Sequence, residues 1–303
     1  MKICVCLFFF KAIAKYKKIW YNYYVCNFIS RNVFFSQKKG GLKMTFSKFF
    51  EILFSTGFLG NYLFAGGESS VLVTRQVFSL VMIALAGIGI LAAGYLLGSL
   101  NFSIIISAKA YKQDIRNYGS NNAGMTNMMR TYGSKAAGLT LLGDALKAVV
   151  ACLIGYAVFG EMGAYLAGSA CVVGHIFPVF FGFKGGKGVV TAGVTMLMCN
   201  PFVFLIVVTI FLIIVACTRY ISLGAVMSMF IYPFVLAGID SWLLPAIQLD
   251  DSKPVSGSPG AIFALLIAAL IIFKHKENIK RLLSGKESKF SFKKSVKTNK
   301  EEK

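Results

Sequence analysis

The chain has 303 residues, of which 56% are hydrophobic and only 15% are charged, and its mean hydropathy is +0.69. This composition, with its recurring long apolar runs, excludes an ordinary soluble domain and predicts an all-α, polytopic membrane protein. The net charge of +20 would suggest a nucleic-acid partner for a soluble protein, but here the cations lie between and after the apolar runs. That placement fits cytoplasmic loops and an anionic ligand, so we expect no nucleic-acid partner.

The N-terminal 43 residues differ from the rest of the chain. Residues 1–43 carry nine Lys and Arg but no Asp or Glu, beside many Phe, Tyr, Asn and Ile. Such a segment can be a basic interfacial stretch or a targeting peptide. We favour a third interpretation, translated AT-rich DNA upstream of the true start, because residues 39–41 (Lys-Gly-Gly) can be encoded by a ribosome-binding site shortly before Met44. We therefore expect 1–43 to be a non-native extension and 44–76 an N-terminal extension.

Seven apolar stretches follow, most of them long enough to cross a bilayer. They lie at about 78–107, 136–158, 162–182, 188–199, 202–217, 221–245 and 260–273. The fourth is too short for a full crossing, because about twelve helical residues reach about 18 Å against a hydrocarbon core of about 30 Å. It ends at Asn200-Pro201, where proline disfavours helix at the preceding residue, so we expect a short helix that turns back.

The charged residues orient these spans. The tail at 274–303 has eleven Lys and Arg against four Glu, which predicts that it lies on the cytoplasmic side. Seven crossings then put the polar loop at 109–134, the Gly- and Lys-rich stretch at 182–188 and Arg219 on the same side. We expect a basic tail at 289–303 that contacts lipid headgroups.

Two ionisable residues lie inside the second span. Asp144 and Lys147 are three residues apart, so they share a helix face and can form an ion pair. Such a pair usually faces the bundle interior, either as a structural pair or as part of a catalytic site, and we favour the structural pair. We also interpret His175, near the end of the third span, as structural.

The stretch at 182–188 contains four glycines and two lysines. Glycine lets the backbone approach a ligand closely, and N–H groups beside a helix N-terminus, together with lysine, suit a phosphate. It is not a Walker A loop, because Gly188 stands where that motif has Ser or Thr and both flanks are membrane helices. The alternative is a flexible turn whose lysines mark the cytoplasmic side.

Four polar segments therefore meet at one membrane face, offering hydroxyls, amides, backbone N–H groups and cations but few carboxylates. They are 119–130, 182–188, 219–222 and 275–287. Such a site suits anions, whereas a proton pump or cation carrier needs acidic residues in the bundle. An enzyme for anionic substrates, an anion transporter and a non-catalytic scaffold all remain open at this point. The seven cysteines form no Cys-x-x-Cys pair and we see no metal-site spacing, so we expect neither a metal nor another cofactor.

Three motifs resemble those of the bacterial acyl-phosphate:glycerol-3-phosphate acyltransferases. The first covers 98–103 and 114–127, the second 174–191 and the third 275–287. The resemblance extends over about 78–290 and implies an integral membrane domain at 77–288, in the bacterial cell inner membrane, that serves phospholipid biosynthesis. The implied reaction moves a fatty acyl group from acyl phosphate to the 1-hydroxyl of glycerol 3-phosphate and gives lysophosphatidic acid and phosphate.

The resemblance also implies roles for individual residues. Five are expected to be catalytic: Ser120, Arg130, Lys187, His275 and Asn278. We expect nine further residues to bind substrate phosphate: Gly119, Asn121, Thr126, Asn127, Lys184, Gly185, Gly186, Gly188 and Ser222. We expect direct attack by the substrate hydroxyl, with its proton taken by a phosphate oxygen or by His275, in preference to a covalent Ser120 intermediate. Membrane lipid and the enzyme that makes acyl phosphate are candidate partners.

The transporter alternative has weaker support from the sequence. A carrier with broken helices is expected to hold its site near the bilayer midplane, with access from both faces and inverted repeats in its two halves. Here the polar segments lie at one face, and we see no such repeat between the halves of the chain.

Overall fold

The computed structural model describes residues 72–239 and 260–290, with side chains described from residue 80. Within these residues the protein forms nine α-helices and two short 3-10 turns, at Ile115–Asn117 and Val179–Phe181. The helices are α1 Leu72–Ser99, α2 Phe102–Tyr111, α3 Met125–Tyr132, α4 Ser134–Ile176, α5 Val189–Cys199, α6 Pro201–Thr218, α7 Ile221–Gly238, α8 Gly260–Lys274 and α9 Lys276–Leu283. The predicted all-α class is therefore confirmed.

Several sequence predictions lie outside the described residues. They concern the extension at 1–43, nearly all of that at 44–76 and the tail beyond 290. The sixth span, predicted to reach residue 245, is described as helix to Gly238.

The apolar helices occupy the places of the predicted spans. Four described stretches are long and apolar enough to cross a membrane: Leu80–Tyr111, Ser134–Phe181, Pro201–Thr218 and Ile221–Gly238. Two shorter apolar helices, α5 and α8, accompany them. Because α4 consists of two arms, seven apolar helical stretches correspond to the seven predicted ones.

Helix α4 bends back on itself and consists of two helical arms. Phe159 and Gly160 depart from helical backbone angles, and Gly160 has a φ of +59°. A Cβ at Gly155 would lie 2.0 Å from the carbonyl oxygen of Gly163, so the backbones on either side of the bend touch. Small residues allow this close approach of membrane helices. The two arms therefore pack antiparallel, as the second and third predicted spans require.

Helix α1 packs closely on the second arm of α4. A Cβ at Gly94 would lie 2.4 Å from the carbonyl oxygen of Ala167, and one at Gly98 would lie 2.1 Å from that of Cys171. On both helices the contacting residues are four apart, which is the small-xxx-small spacing of tight membrane helix pairs. This seam places the end of α1 beside the end of α4, next to the polar loops.

The span predicted at 78–107 lies within the apolar stretch Leu80–Tyr111, but its helix breaks at Leu100 and Asn101. Asn101 starts α2 by capping it: its Oδ1 accepts hydrogen bonds from the N–H of Ile104 at 3.3 Å and from the hydroxyl of Ser103 at 2.6 Å. The carbonyl groups freed at the end of α1 are bound by a buried lysine described below.

The short helix α5 turns back as predicted. Asn200 Oδ1 accepts a hydrogen bond from the N–H of Val203 at 3.2 Å, and Pro201 is the first residue of α6. Proline suits this position, because the first N–H of a helix has no intrahelical partner. Helix α6 then ends at Arg219, which has a φ of +62°. The chain thus returns Arg219 to the end of the bundle where the Gly- and Lys-rich stretch lies.

Candidate active site

The four polar segments meet at one end of the helix bundle, as predicted. The first and second touch where a Cβ at Gly186 would lie 2.3 Å from the carbonyl oxygen of Ala123. Lys187 Nζ donates a hydrogen bond to Asn278 Oδ1, which joins the second segment to the fourth. The third segment is joined to the fourth through the hydroxyl of Ser222.

The carboxylate of Glu287 organises this end of the bundle. Its Oε1 accepts hydrogen bonds from Ser222 Oγ at 2.8 Å and from Asn278 Nδ2 at 2.7 Å, and its Oε2 accepts one from Arg281 Nε at 2.8 Å. Because the amide nitrogen of Asn278 is bound to Glu287, the amide oxygen is left to accept from Lys187. Burial raises the pKa of Glu287, but these hydrogen bonds outweigh it and hold the pKa below its usual range. Glu287 is therefore ionised at neutral pH.

Sequence reasoning did not assign Glu287 or Arg281 to the site. Both stand in the third motif, but a charged residue in a basic tail is usually solvated. The available signal was that Glu287 is one of only two carboxylates between residues 274 and 290. Its partners come from α7 and α9, so only the folded chain shows what it binds.

Lys187 lies among other cations. Burial lowers the pKa of Lys187 to about 8, although the charge of Glu287 opposes that shift. The charges of Arg281, Arg130 and Lys274 lower it further, so these groups lie near enough to repel the Lys187 ammonium. The positive charges outnumber the single carboxylate, and this part of the site therefore attracts anions.

His275 stands at the junction of α8 and α9 and is only 2% exposed. Its Nδ1 lies 2.8 Å from the carbonyl oxygen of Ile271. Because a carbonyl oxygen only accepts, Nδ1 carries the proton and Nε2 carries the lone pair. Burial first, and then the charge of Lys187, lower the pKa of His275 to about 4. At neutral pH the imidazole is uncharged, and Nε2 can accept a hydrogen bond from a substrate hydroxyl.

The loop between α2 and α3 is built around the buried side chain of Asn127. Its Nδ2 donates to three carbonyl oxygens between α2 and α3, at 2.8, 3.1 and 3.2 Å, and its Oδ1 accepts from the N–H of Ser120 at 2.9 Å. Gly119 and Asn121 have φ angles of +62° and +55°, so the chain turns sharply on both sides of Ser120. Asn127, predicted to bind phosphate, is engaged in shaping this loop.

The other predicted residues of the first motif are more accessible. Ser120 and Asn121 are exposed, while Thr126 and Arg130 are half-buried on α3. Gly119 has a shaping function, because a Cβ there would lie 2.2 Å from an oxygen of the Asn127 side chain. This motif therefore offers hydroxyl groups, and its Arg130 guanidinium lies near enough to Lys187 to act on its charge.

In the Gly- and Lys-rich loop, two amide groups that were predicted to bind phosphate have another use. The N–H of Gly185 donates to the carbonyl oxygen of Ile176 at 3.2 Å, and that of Gly186 donates to the carbonyl oxygen of His175 at 3.1 Å. The last carbonyl groups of a helix lack intrahelical partners, and these bonds satisfy two of them at the end of α4. The N–H groups of Gly185 and Gly186 are therefore both bound within the protein.

The end of this loop retains donors for an anion. Gly188 has a φ of +79° and forms the N-cap of α5 without a side-chain cap. The first amides of a helix have no intrahelical acceptor and can bind an anion. Lys187, immediately before them, contacts the third motif, whereas Lys184 is exposed.

A buried polar cluster lies beneath this loop. Lys147 Nζ lies 2.8 Å from Asp144 Oδ1 and 2.9 Å from His175 Nδ1. The same ammonium group donates to the carbonyl oxygens of Gly98 at 3.0 Å and Leu100 at 2.9 Å. The ion pair predicted from the spacing of Asp144 and Lys147 is confirmed, and it holds the broken end of α1 against both arms of α4.

Comparison with known proteins identifies the family. A sequence profile described as glycerol-3-phosphate acyltransferase matches residues 88–285. The chain belongs to this family. The glycerol-3-phosphate acyltransferase of Finegoldia magna is 40% identical over 198 residues, which are 64% of this chain and 91% of the relative. That of Thermoanaerobacter pseudethanolicus is 41% identical over 203 residues, which are 67% of this chain and 95% of the relative.

Two solved structures share the fold of this acyltransferase. The glycerol 3-phosphate form of PlsY, an integral membrane glycerol 3-phosphate acyltransferase, has 37% identity and a TM-score of 0.58, and the match covers 68% of this chain and 96% of that one. The lysophosphatidic acid form of PlsY has 36% identity and a TM-score of 0.56, with the same coverage. With its apolar helices, this family member is a multi-pass membrane acyltransferase, and the resemblance found in its motifs is confirmed.

Proposed function

We propose that the protein transfers a fatty acyl group from acyl phosphate to the 1-hydroxyl of glycerol 3-phosphate and releases lysophosphatidic acid and inorganic phosphate. Membership of the family supports the acceptor and the lipid product. The observation that carries the proposal is the group of Lys187, Asn278 and His275 at the end of the bundle, where cations outnumber carboxylates.

Charge is the main requirement of this reaction. Both substrates carry phosphate groups, each of about −1.5 to −2 at neutral pH, so they repel each other unless the site neutralises them. Lys187 and Arg130 supply positive charge there, and the hydroxyls of Ser120 and Thr126 supply further donors. Cations aimed at the leaving phosphate stabilise the negative charge that develops on it. We assign Asn127 to shaping the loop that carries Ser120.

The pKa of His275 bears on the choice of proton acceptor. A phosphate monoester has a second pKa of about 6, and His275 has a pKa of about 4. The phosphate oxygen is therefore the stronger base of the two. In the proposed step the hydroxyl oxygen attacks the acyl carbonyl carbon, a phosphate oxygen takes the hydroxyl proton, and the bond from the acyl carbon to the leaving phosphate breaks. The hydroxyl has one proton, so His275 Nε2 accepts its hydrogen bond only as the substrate binds, before the proton turns to the phosphate oxygen.

A covalent intermediate on Ser120 has less support. An activated serine needs a base hydrogen-bonded to its hydroxyl. Within residues 72–239 and 260–290, no imidazole or carboxylate is hydrogen-bonded to the Ser120 hydroxyl, and its N–H is bound to Asn127. Because acyl phosphate is already activated, positioning of the two substrates can supply much of the rate.

We further propose that the site faces the cytoplasm of a bacterial cell. The excess of Lys and Arg in the loops and tail on one side supports this orientation. An enzyme that makes acyl phosphate would then deliver it at the same face. Protease digestion of right-side-out and inside-out vesicles tests the orientation, since only inside-out vesicles should expose the tail.

The decisive experiment is turnover by the purified protein in lipid. Palmitoyl phosphate or palmitoyl-CoA is offered with glycerol 3-phosphate, and lysophosphatidic acid and released phosphate are measured. We expect equal amounts of both products from palmitoyl phosphate and no lipid product from palmitoyl-CoA. Lys187→Ala is expected to lower kcat/KM by about 100- to 1000-fold, the usual effect of removing one preorganised group that stabilises the transition state.

Lys109→Ala is the matched control, because Lys109 is an exposed lysine on α2. It should retain the activity of the unaltered protein. Product from palmitoyl-CoA would contradict the proposed donor. Folded protein that gives no product from either donor would contradict the proposed acyl transfer. Anion uptake in vesicles would then test the transporter alternative.

A further inference from the structure

Arg116, in the 3-10 turn between α2 and α3, joins two of the loops that form the site. Its Nε and Nη2 donate to the carboxylate of Asp114, at 3.0 and 2.7 Å. Its Nη1 donates to the carbonyl oxygens of Phe181 at 2.8 Å and Lys184 at 3.0 Å. One guanidinium group therefore ties the first motif's loop to the Gly- and Lys-rich loop.

Asp114 holds this guanidinium in a fixed direction. Its Oδ1 also accepts the backbone N–H of Arg116 at 2.9 Å and caps the 3-10 turn. The side-chain hydrogen bond from Arg116 holds the pKa of Asp114 below its usual range, so the ion pair persists at neutral pH. The planar fork of arginine bonds the carboxylate on one side and leaves Nη1 directed at the second loop.

The segment that Arg116 holds has an unusual backbone. Phe181 and Lys184 bracket Gly182 and Phe183, whose φ angles are +63° and +58°. A left-handed conformation is uncommon for a bulky residue such as phenylalanine and persists only where the surroundings impose it. Phe183 is 57% exposed, so packing of its side chain does not impose this conformation. Hydrogen bonds hold the turn instead: the N–H of Phe183 donates to the carbonyl oxygen of Pro178 at 2.9 Å, and Arg116 binds the carbonyl oxygens on either side.

We propose that Arg116 is a positioning residue that sets the path of the Gly- and Lys-rich loop and so places Lys187 against Asn278. Lys187 follows Lys184 by three residues with no helix between them. A displacement of the backbone at Lys184 is therefore expected to move Lys187 as well. The inference rests on the proposed function, in which Lys187 binds substrate phosphate.

The first test reports on the loop itself and does not depend on activity. Hydrogen exchange of the amides at 179–188 is compared between Arg116→Gln and Lys109→Gln, which removes one cation from an exposed position on α2. In Arg116→Gln the amides of Gly185 and Gly186 should exchange faster, because their hydrogen bonds depend on the loop path. In Lys109→Gln they should exchange as in the unaltered protein. Equal exchange in all three proteins would overturn the proposal.

The second test is a double-mutant cycle in kcat/KM for glycerol 3-phosphate. Arg116→Gln alone should lower kcat/KM by about 10- to 100-fold, the effect expected of a small displacement of a binding group. In a Lys187→Gln background the same substitution should cost less than about 3-fold, since the misplaced group is already gone. Arg116→Lys should lower kcat/KM nearly as much as Arg116→Gln does. An ammonium group lacks the planar fork that bonds the carboxylate and two carbonyl oxygens at once.

Three results would overturn the positioning function. They are additive losses in the cycle, full activity in Arg116→Lys, and a loss in Arg116→Gln that only matches the fraction of unfolded protein. A lack of turnover by the unaltered protein would instead overturn the proposed function, and the hydrogen-exchange result would still decide whether Arg116 holds the loop.

Discussion

At the scale of single residues, Lys187 is half-buried among cations, and the one carboxylate that acts on it, Glu287, does not offset them. Its pKa of about 8 means that the ammonium form is fully present below that pH and is lost as the pH rises through it. We therefore expect kcat/KM for glycerol 3-phosphate to fall above about pH 8 as the site loses this charge. In Lys187→Arg the charge persists to a pKa above about 12, so any residual activity should fall only at higher pH.

Rate profiles from about pH 6.5 to about 9.5 on both proteins check this expectation, with Lys109→Arg as the control for an exposed lysine. The control should keep the unaltered profile. If kcat/KM of Lys187→Arg falls over the same pH range, a group other than Lys187 is responsible for the loss.

The residues of the site were predictable to different degrees. Lys187 and Asn278 stand in motifs that carry the family resemblance, and the structure brings them into contact across 91 residues of sequence. Glu287 escaped prediction because its effect depends on partners from α7 and α9, which no local pattern reveals. Asn127 was expected to bind phosphate from the family resemblance, and the structure shows its buried amide bound to nearby backbone groups.

At the scale of elements, the Gly- and Lys-rich loop depends on close packing at Gly186. A Cβ there would lie 2.2 Å from His175 Nε2 and 2.3 Å from the carbonyl oxygen of Ala123. His175 is fixed by the buried cluster, so the loop must move instead. We expect Gly186→Ala to lower kcat/KM by at least about 10-fold and the free energy of unfolding by about 1–3 kcal/mol.

Gly138→Ala is the matched control, because a Cβ at this helical position on α4 would meet nothing within 4 Å. Alanine there should leave activity unchanged and stabilise the helix slightly. Kinetics in lipid and thermal unfolding in detergent measure both variants. Equal behaviour of the two variants would show that the loop yields freely at Gly186.

Helix ends that adjacent residues determine were predictable from the sequence. Helix ends that depend on contacts with residues far along the chain were not. Asn200 and Pro201 carry the cap and the start of α6 in adjacent residues, and the turn was found from them. The break between α1 and α2 lies in a stretch whose apolar character continues through it. One of its stabilising contacts is the bond from Lys147 to the carbonyl oxygen of Leu100, 47 residues away in sequence.

At the scale of the whole molecule, the Asp144–Lys147 pair links three helical segments. Lys147→Met removes the cation at 2.8 Å from the Asp144 carboxylate, which is only 2% exposed, and leaves His175 Nδ1 at 3.5 Å. We expect it to lower the free energy of unfolding by about 3–5 kcal/mol, the usual cost of an uncompensated buried charge. The double variant Asp144→Leu/Lys147→Met leaves no such charge and should unfold at a higher temperature than the single variant.

Thermal unfolding in detergent compares the unaltered protein with the single and double variants. An unchanged midpoint for Lys147→Met would show that the pair does not hold the bundle together. A double variant that is no more stable than the single one would show that the bonds from Lys147 to Gly98 and Leu100, and not the buried charge of Asp144, carry the effect.

The overall architecture was the most predictable part. The apolar runs predicted the helical stretches, and the charge pattern predicted that four polar segments share one end of the bundle, which their contacts confirm. The pattern could not show how tightly the arms of α4 pack, because that depends on glycines whose carbonyl contacts arise only after the bend at Phe159 and Gly160.

The hairpin in α4 also bears on how the protein is made. The first arm leaves the ribosome with Asp144 and Lys147 in an otherwise apolar helix, and a charged residue in a lone membrane helix is costly. Lys147 gains its contact with His175 only when the second arm follows, and Gly155 meets Gly163 at the same time. The two arms are therefore best suited to pass from the translocon into the lipid as a pair. We therefore expect the first arm to stay in the translocon until the chain has grown the 28 residues from Lys147 to His175.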